Sequence, residues 1–440
     1  MKNSIYVKLF LLFLPFYLSA CGGSGGADKT ISEPKTLISD IAFIDETIEN
    51  CVERSAAINN SLYVEDITEL VCTTSFENSQ TISSFEDLLQ FKALRNLSFG
   101  GMEGIPQSVE NITSVGELTQ LTHLTVGSVI SLNSNSSPAF TITPTCWGTS
   151  SCPEESDVIE SKVSLNTLVN LKTLDLSKTA TIGSHNLIDL NDLSNLNKLT
   201  ILKLPNYQFE LAHIMHFEKL ETLHLNVPDT SNINSFDILL TNSSNLKELI
   251  LKPNYPWDPF KQSEHLNLNS VEKSISGLTK LHTLILPSFS PEDESVLEKL
   301  ISLTRLEITY SHFTQDIFSH LYLSKLNKLE VLTLNSTIKT RQFIDQNGEV
   351  ISRITCAGWV NSCTEVVPVV PPMFDDLSIL SDLRNLKNLT INNIEILDIT
   401  SLTQLTELEV ITFENSALCK DIEALRIDFP TAEIITSDCD

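Results

Sequence analysis

Twelve times along this chain one apolar pattern returns, L-x-x-L-x-x-L-x-L, with close substitutes at some positions. The copies read Val64-Ile67-Leu70-Cys72, Phe91-Leu94-Leu97-Phe99, Leu118-Leu121-Leu124-Val126 and Leu168-Leu171-Leu174-Leu176. They continue as Leu196-Leu199-Leu202-Leu204, Phe217-Leu220-Leu223-Leu225, Ser243-Leu246-Leu249-Leu251 and Leu278-Leu281-Leu284-Leu286. The last four are Leu300-Leu303-Leu306-Ile308, Leu326-Leu329-Leu332-Leu334, Leu383-Leu386-Leu389-Ile391 and Leu402-Leu405-Leu408-Val410. The closing L-x-L sets two side chains on one face of a short strand, because strand side chains alternate. The leucines three apart belong to the turn that leads into it. Spacings of three also suit a helix, but the period-two ending recurs with every copy, and a helix does not produce that. One such unit cannot bury its leucines alone, so neighbours must stack and share a core. Each buried leucine contributes about 1.5–3 kcal/mol, which makes stacking decisive over many copies.

Most steps between the third positions of successive copies are 21 to 28 residues, and the last is 19. Three are long: 50 from Leu124 to Leu174, 35 from Leu249 to Leu284, and 57 from Leu332 to Leu389. These mark insertions at about 127–163, 252–275 and 336–378. From about Asp40 to the C-terminus the sequence resembles leucine-rich-repeat proteins, among them the internalin-like surface proteins of bacteria. The resemblance implies an α/β solenoid: a leucine-rich-repeat horseshoe with a parallel β-sheet on its concave face. One feature departs from that family. Its repeats end each strand on an asparagine, and here only Asn254 holds that place, with Thr179, Tyr207, Pro228, Phe289 and Thr337 at others.

The N-terminus carries Lys2 and Lys8, then an apolar run of twelve, Leu9 to Ala20, which suits a secretory leader and is short for a membrane span. Leu18-Ser19-Ala20-Cys21 resembles the lipobox of bacterial lipoproteins. That resemblance implies cleavage before Cys21 and acylation of it, and Gly22 after the cysteine implies sorting to the outer membrane. Export, with lipid anchoring at Cys21 and a periplasmic or surface-facing body, is the expected localisation. Residues 1–20 are then a signal peptide and 21–36 a tether containing Gly22 to Gly26. A cap with the first edge strand spans 37–75, repeats with insertions span 76–418, and a second cap spans 419–440.

Cys21 aside, eight cysteines remain, an even number suited to disulfides in an exported chain. Eight cysteines allow 105 pairings, but these fall into sequence-local pairs: Cys51–Cys72, Cys146–Cys152, Cys356–Cys363 and Cys419–Cys439. The C-x2-C clusters of a zinc site are missing. The first and last pairs would staple the two caps. A helix carrying Cys51 is expected before the first strand, and Ile422 to Ile434 reads as the remnant of a final repeat.

Formal charge is −27, and about −29 once the two leader lysines are removed. Such an excess repels nucleic-acid phosphates and anionic lipid, so membrane contact is expected through the lipid anchor alone. Outside the Gly22 to Gly26 tether the chain contains no G-x-S-x-G, and it contains no G-x-x-x-x-G-K-[ST], H-E-x-x-H or G-x-G-x-x-G. No catalytic residue, metal ligand or cofactor is nominated. His213 and His216 lack companion ligands. Asp345-Gln346-Asn347-Gly348-Glu349 has only the composition of a calcium loop. Asp375-Asp376 reads as the polar start of a repeat.

Binding candidates are of two kinds. All three tryptophans fall in the three long steps: Trp147 and Trp359 inside the two short cysteine loops, and Trp257 within Pro253 to Phe260. The cysteine loops share T-C-x-G, S-C, and a glutamate two places on, Glu154 and Glu365. Tryptophan on a loop is a favoured interface anchor, and equally packs a loop on its body. The second candidate is the outward central column of the sheet: Val71, Ser98, Thr125, Asp175, Lys203, His224, Ile250, Ile285, Glu307, Thr333, Thr390 and Glu409. It holds no basic stripe and no aromatic run. Asp175, Lys203, His224 and Glu307 are its candidate contact residues. The expected function is non-catalytic recognition of a protein, or of a glycan, at the cell envelope. The alternative is an envelope scaffold without a ligand site.

Overall fold

The computed structural model describes residues 34–73, 81–101, 107–131, 163–178, 188–189, 193–204, 214, 216–226, 233–252, 266–267, 272–290, 294–310, 323–336, 338–344, 350–357, 373–416 and 419–436. Thirteen strands stand side by side in chain order, all parallel. They are β1 (Glu69–Thr73), β2 (Asn96–Gly100), β3 (His123–Val126), β4 (Thr173–Asp175), β5 (Ile201–Lys203), β6 (Thr222–Asn226) and β7 (Glu248–Lys252). There follow β8 (Thr283–Ser290), β9 (Arg305–Tyr310), β10 (Val331–Ser336), β11 (Asn388–Asn392), β12 (Val410–Glu414) and β13 (Glu433–Thr436). This is the leucine-rich-repeat solenoid that the pattern predicts.

The register follows the leucines. Leu70 pairs with Leu97, Leu97 with Leu124, Leu124 with Leu174 and so on to Leu332 with Leu389, every one buried. The earlier leucines form the turns. Leu168 N–H donates to Leu165 O at 2.9 Å and Leu171 N–H to Leu168 O at 2.8 Å, so each step of three closes a tight turn and points a leucine inward.

Between coils a spine of carbonyls runs the length of the array. The residue two places before each inward leucine accepts two N–H groups from the next coil. Thr68 O accepts from Arg95 N and Asn96 N, Thr122 O from Lys172 N and Thr173 N, and Lys247 O from His282 N and Thr283 N. A spine of this kind fixes the register whatever the length of the loop between coils.

That spine corrects the last copy of the pattern. Glu409 N and Val410 N both donate to Lys387 O, so Glu409 precedes the strand and Ile411 and Phe413 face inward. Leu402, Leu405, Leu408 and Ile411 form a run of four at spacing three, so two frames fit the pattern and the earlier one is wrong. Glu409 leaves the central column, and Thr412 pairs with Thr390 in its place. The apparent step of 19 becomes 22, from Leu389 to Ile411.

Side chains brace the coils mainly before the strand rather than after it. Gln120 Nε2 donates to Phe91 O at 3.2 Å, Asn170 Nδ2 to Thr119 O at 3.0 Å and Asn245 Nδ2 to Glu218 O at 3.3 Å. Lys198 and Lys280 bond the amide oxygens of Asn170 and Asn245 from the following coils. Each of these residues directly precedes a turn leucine. Strand-exit asparagines bond across coils near the C-terminal end, Asn392 to Asn335 at 3.0 Å and Asn415 to Asn393 at 3.1 Å. Asn254 lies outside the described residues.

The N-terminal cap is helix α1 (Glu46–Asn59), whose Cys51 is bonded to Cys72 of β1 as expected, with a Cα–Cα distance of 5.2 Å. Asp45 caps the helix by accepting from Ile48 N at 2.8 Å, and it also takes the N–H and hydroxyl of Ser83. Buried Asp87 accepts from the N–H groups of Ile44 and Asp45, tying the cap to the second coil. These carboxylates replace the missing backbone partners of a helix start. Past β2 the backbones of coils two and three almost touch: Gly100 has φ +106°, and a Cβ there would meet Gly127 Cα at 2.7 Å.

Helices α2 (Ile233–Asn242) and α3 (Glu272–Gly277) serve the coils before β7 and β8. At the far end, α4 (Cys419–Asp428) buries Ile422 and Leu425. The apolar remnant after it is a strand, β13, whose Ile434 pairs with Ile411. Of the insertions, the third carries an antiparallel pair, Ile338–Ile344 with Val350–Ala357, on either side of residues 345–349. Cys356 lies in the second of these strands. Cys21, Cys146, Cys152, Cys363 and Cys439 lie outside the described residues, as do Trp147, Trp257 and Trp359. The described residues include no helix long and apolar enough to cross a membrane.

Candidate functional site

Side chains alternate along each strand, so every strand of the sheet buries its leucines and presents the residues between them. The central column runs in register as the sequence predicts: Thr125 beside Asp175, Asp175 beside Lys203, Lys203 beside His224, His224 beside Ile250. Ile250 then lies beside Ile285, and Ile285 beside Glu307. Three of the four candidate polar residues, Asp175, Lys203 and His224, therefore stand on adjacent strands. Glu307 is held apart by the two isoleucines.

Lys203 Nζ reaches Asp175 Oδ2 at 3.5 Å, a contact that is partly screened by water and counts for little alone. Asp175 is better fixed by Ser177, whose N–H and hydroxyl both donate to Oδ1, at 3.0 and 2.6 Å. Burial pushes the Asp175 carboxyl up, but those two bonds and the Lys203 ammonium outweigh it and hold the group below the usual carboxylate range. The sign then follows from linkage. A carboxyl lowered in the folded state contributes stability above its unfolded value, near 3.9, and loses it as pH falls through the folded value. Asp175→Asn is accordingly expected to flatten the fall of melting temperature between about pH 5 and pH 3, as thermal melts at stepped pH would read. An unchanged acid limb would remove Asp175 from that role.

His224 makes its side-chain contact sideways, with Nε2 at 2.5 Å from Glu248 Oε1. Arg305 likewise lies 3.4 Å from Glu307. Glu248 and Arg305 are in the column flanking the central one, which the sequence reading left aside. The signal was present: the residue two before each central position shares its face. The face thus holds a polar group of Asp175, Lys203, His224 and Glu248, then half-buried Ile250 and Ile285, then Arg305 and Glu307.

The minor candidates resolve simply. His216 is exposed and packs its ring on Phe217 at 4.5 Å, while His213 lies outside the described residues. Asp375 and Asp376 are exposed, and Asp376 caps a short turn by accepting from Ser378 N at 2.7 Å. Among the described residues no three His, Cys, Asp or Glu side chains gather as a metal site requires.

No family model and no curated protein matches the chain. Among solved structures it is similar to an internalin of Listeria monocytogenes, at 17% identity over 93% of this chain and 95% of that one, with a TM-score of 0.46. The functional domain of a second Listeria internalin, InlJ, described as including a cysteine ladder, is 15% identical over 87% and 76% of the two chains, at 0.38. The leucine-rich-repeat ectodomain of a plant membrane receptor kinase from Arabidopsis thaliana was solved in complex with Casparian strip integrity factor 2. It is 13% identical over 84% of this chain and 37% of that one, at 0.40. The class of fold rests on the thirteen-strand path and the leucine rows, not on these likenesses.

Proposed function

We propose that this protein is a non-catalytic recognition module, exported and lipid-anchored through Cys21 to the outer membrane, that holds a protein partner on its exposed sheet face and along the insertion edge. The observation that carries this reading is the pair Ile250 and Ile285, adjacent in register on the open face and flanked by opposite charges on both sides. An apolar centre ringed by paired charges is the usual build of a protein interface. Charges already paired within the chain set orientation more than affinity. The tryptophans Trp147, Trp257 and Trp359, one in each insertion, supply the aromatic anchors that such interfaces favour.

Capture of partners from an envelope fraction, with the chain from Gly22 on as bait, tests this directly. Ile250→Asp with Ile285→Asp, and separately each of Trp147→Ala, Trp257→Ala and Trp359→Ala, is expected to weaken the captured complex about thirtyfold, an anchor's share of about 2 kcal/mol. Melting temperatures should stay nearly in place. Undiminished capture by all of them would leave an envelope scaffold, and lost stability with unchanged capture would make the tryptophans loop packing.

A further inference from the structure

From Ser55 to Tyr63 the chain carries no charge, although 19% of its residues are charged. This stretch ends α1 and turns back through Asn60, which has φ 52°. It holds two of the most exposed large apolar side chains among the described residues, Ile58 at 74% and Leu62 at 64%. Water gains nothing from either, and neither serves the core.

The segment that arrives from the N-terminus lies against this same turn. Ile38 N–H donates to Leu62 O at 3.0 Å, Val64 N–H donates to Thr36 O at 2.9 Å, and Leu37, itself 38% exposed, bridges to Tyr63. Pro34 is thirteen positions after Cys21. That length of chain spans no more than about 45 Å even when fully extended. A membrane holding Cys21 is therefore within reach of Ile58 and Leu62.

We propose that Ile58 and Leu62 form a foot by which the N-terminal cap rests on the neutral lipid surface that anchors the chain, so that the solenoid is oriented as well as tethered. This rests on the reading of Cys21 as the lipid anchor. Charge selects the lipid. Glu53, Glu65 and Asp66 flank the foot against Lys35 and Arg54, a net acidic balance; Lys35 pairs with Asp66 at 2.6 Å, and Glu65 accepts from Thr36 N at 3.1 Å. Anionic headgroups would face those carboxylates, whereas zwitterionic headgroups do not oppose them. A second copy would bring acid against acid, and is the poorer occupant.

The test holds the chain on a membrane whatever its natural modification. The chain from Gly22 on, with a hexahistidine tag at its start, is bound to phosphatidylcholine vesicles carrying a nickel-chelating lipid, and amide hydrogen exchange is followed. Exchange across residues 55–63 is expected to slow about tenfold relative to the vesicle-free chain, as burying two aliphatic side chains would allow. The slowing should vanish in the Ile58→Asp, Leu62→Asp double variant, persist in Ile301→Asp, whose exposed side chain lies far along the array, and weaken when phosphatidylglycerol replaces about a third of the lipid.

Equal slowing in the double variant, or none in the parent, overturns the foot. So does slowing that grows with protein concentration without vesicles, which would assign the patch to a second copy. The mass of the N-terminal peptide from the native protein separates the two layers. An unacylated Cys21 overturns anchor and foot together; an acylated Cys21 without slowing overturns the foot alone.

Discussion

Replacing Cys51 and Cys72 together by alanine is expected to lower the stability of the N-terminal coils by about 2–5 kcal/mol, the usual cost of losing a native disulfide from a small exported unit. The bond closes a separation of 21 residues and joins α1 to the first strand. Helix α1 packs on the first strand at the open end of the leucine stack, so its release exposes Leu70 to water as well as freeing the chain. The loss should be local, because each coil of a solenoid touches only its neighbours. Hydrogen exchange would therefore rise from residue 46 through about residue 100 and stay unchanged around Leu306 and Leu332. Uniform destabilisation of the whole array would contradict the nearest-neighbour account.

The second large effect belongs to the contact between Gly100 and Gly127. Gly100→Ala places a Cβ 2.7 Å from the backbone of Gly127 in a residue whose φ is +106°. The conformation alone costs about 1–3 kcal/mol for a residue with a side chain, and forcing the backbones apart adds a similar amount. Gly127→Ala meets Gly101 O at 2.6 Å and should be comparably damaging. Gly277, at the end of α3, is the contrast, with nothing within 4 Å of its would-be Cβ. Gly277→Ala is expected to be neutral or to stabilise by a few tenths of a kcal/mol up to about 1. Denaturant melts of the three variants check the order, and a Gly100→Ala chain as stable as Gly277→Ala would show that the coils separate without cost.

The strand rows were legible because a leucine at each third and second position has one physical meaning, burial in a shared core, and nothing nearby competes for it. Eleven copies of the pattern met their strands in the frame read from sequence, and Asp175, Lys203 and His224 came together for that reason. The twelfth slipped by three at Leu402 to Ile411, where a longer run of leucines makes neighbouring frames equivalent until inter-coil hydrogen bonding chooses between them. The Cys51–Cys72 pair was legible from proximity and parity. The bracing by Gln120, Asn170 and Asn245 was not, because any polar residue suits the solvent side of a turn and only the neighbouring coil shows which carbonyl it meets. Glu248 and Arg305 were passed over for a different reason: a side column contributes to a face only once the strands lie side by side.

The carbonyl spine has a mechanical consequence. Its hydrogen bonds run from coil to coil along the array, so a pull between the two ends loads the junctions in series, and each carries the whole force. The load the array withstands is then that of its weakest junction and does not grow with the number of coils; extra coils add reach alone. Failure should begin at the C-terminal edge, where the inward-facing Ile434 of β13 is only partly buried while the inward leucines of the earlier strands are fully covered. Each coil released pays out about 80 Å of chain, at roughly 3.3–3.6 Å per residue. Under sustained drag the array would lengthen in discrete steps at nearly constant tension, as a shock absorber does.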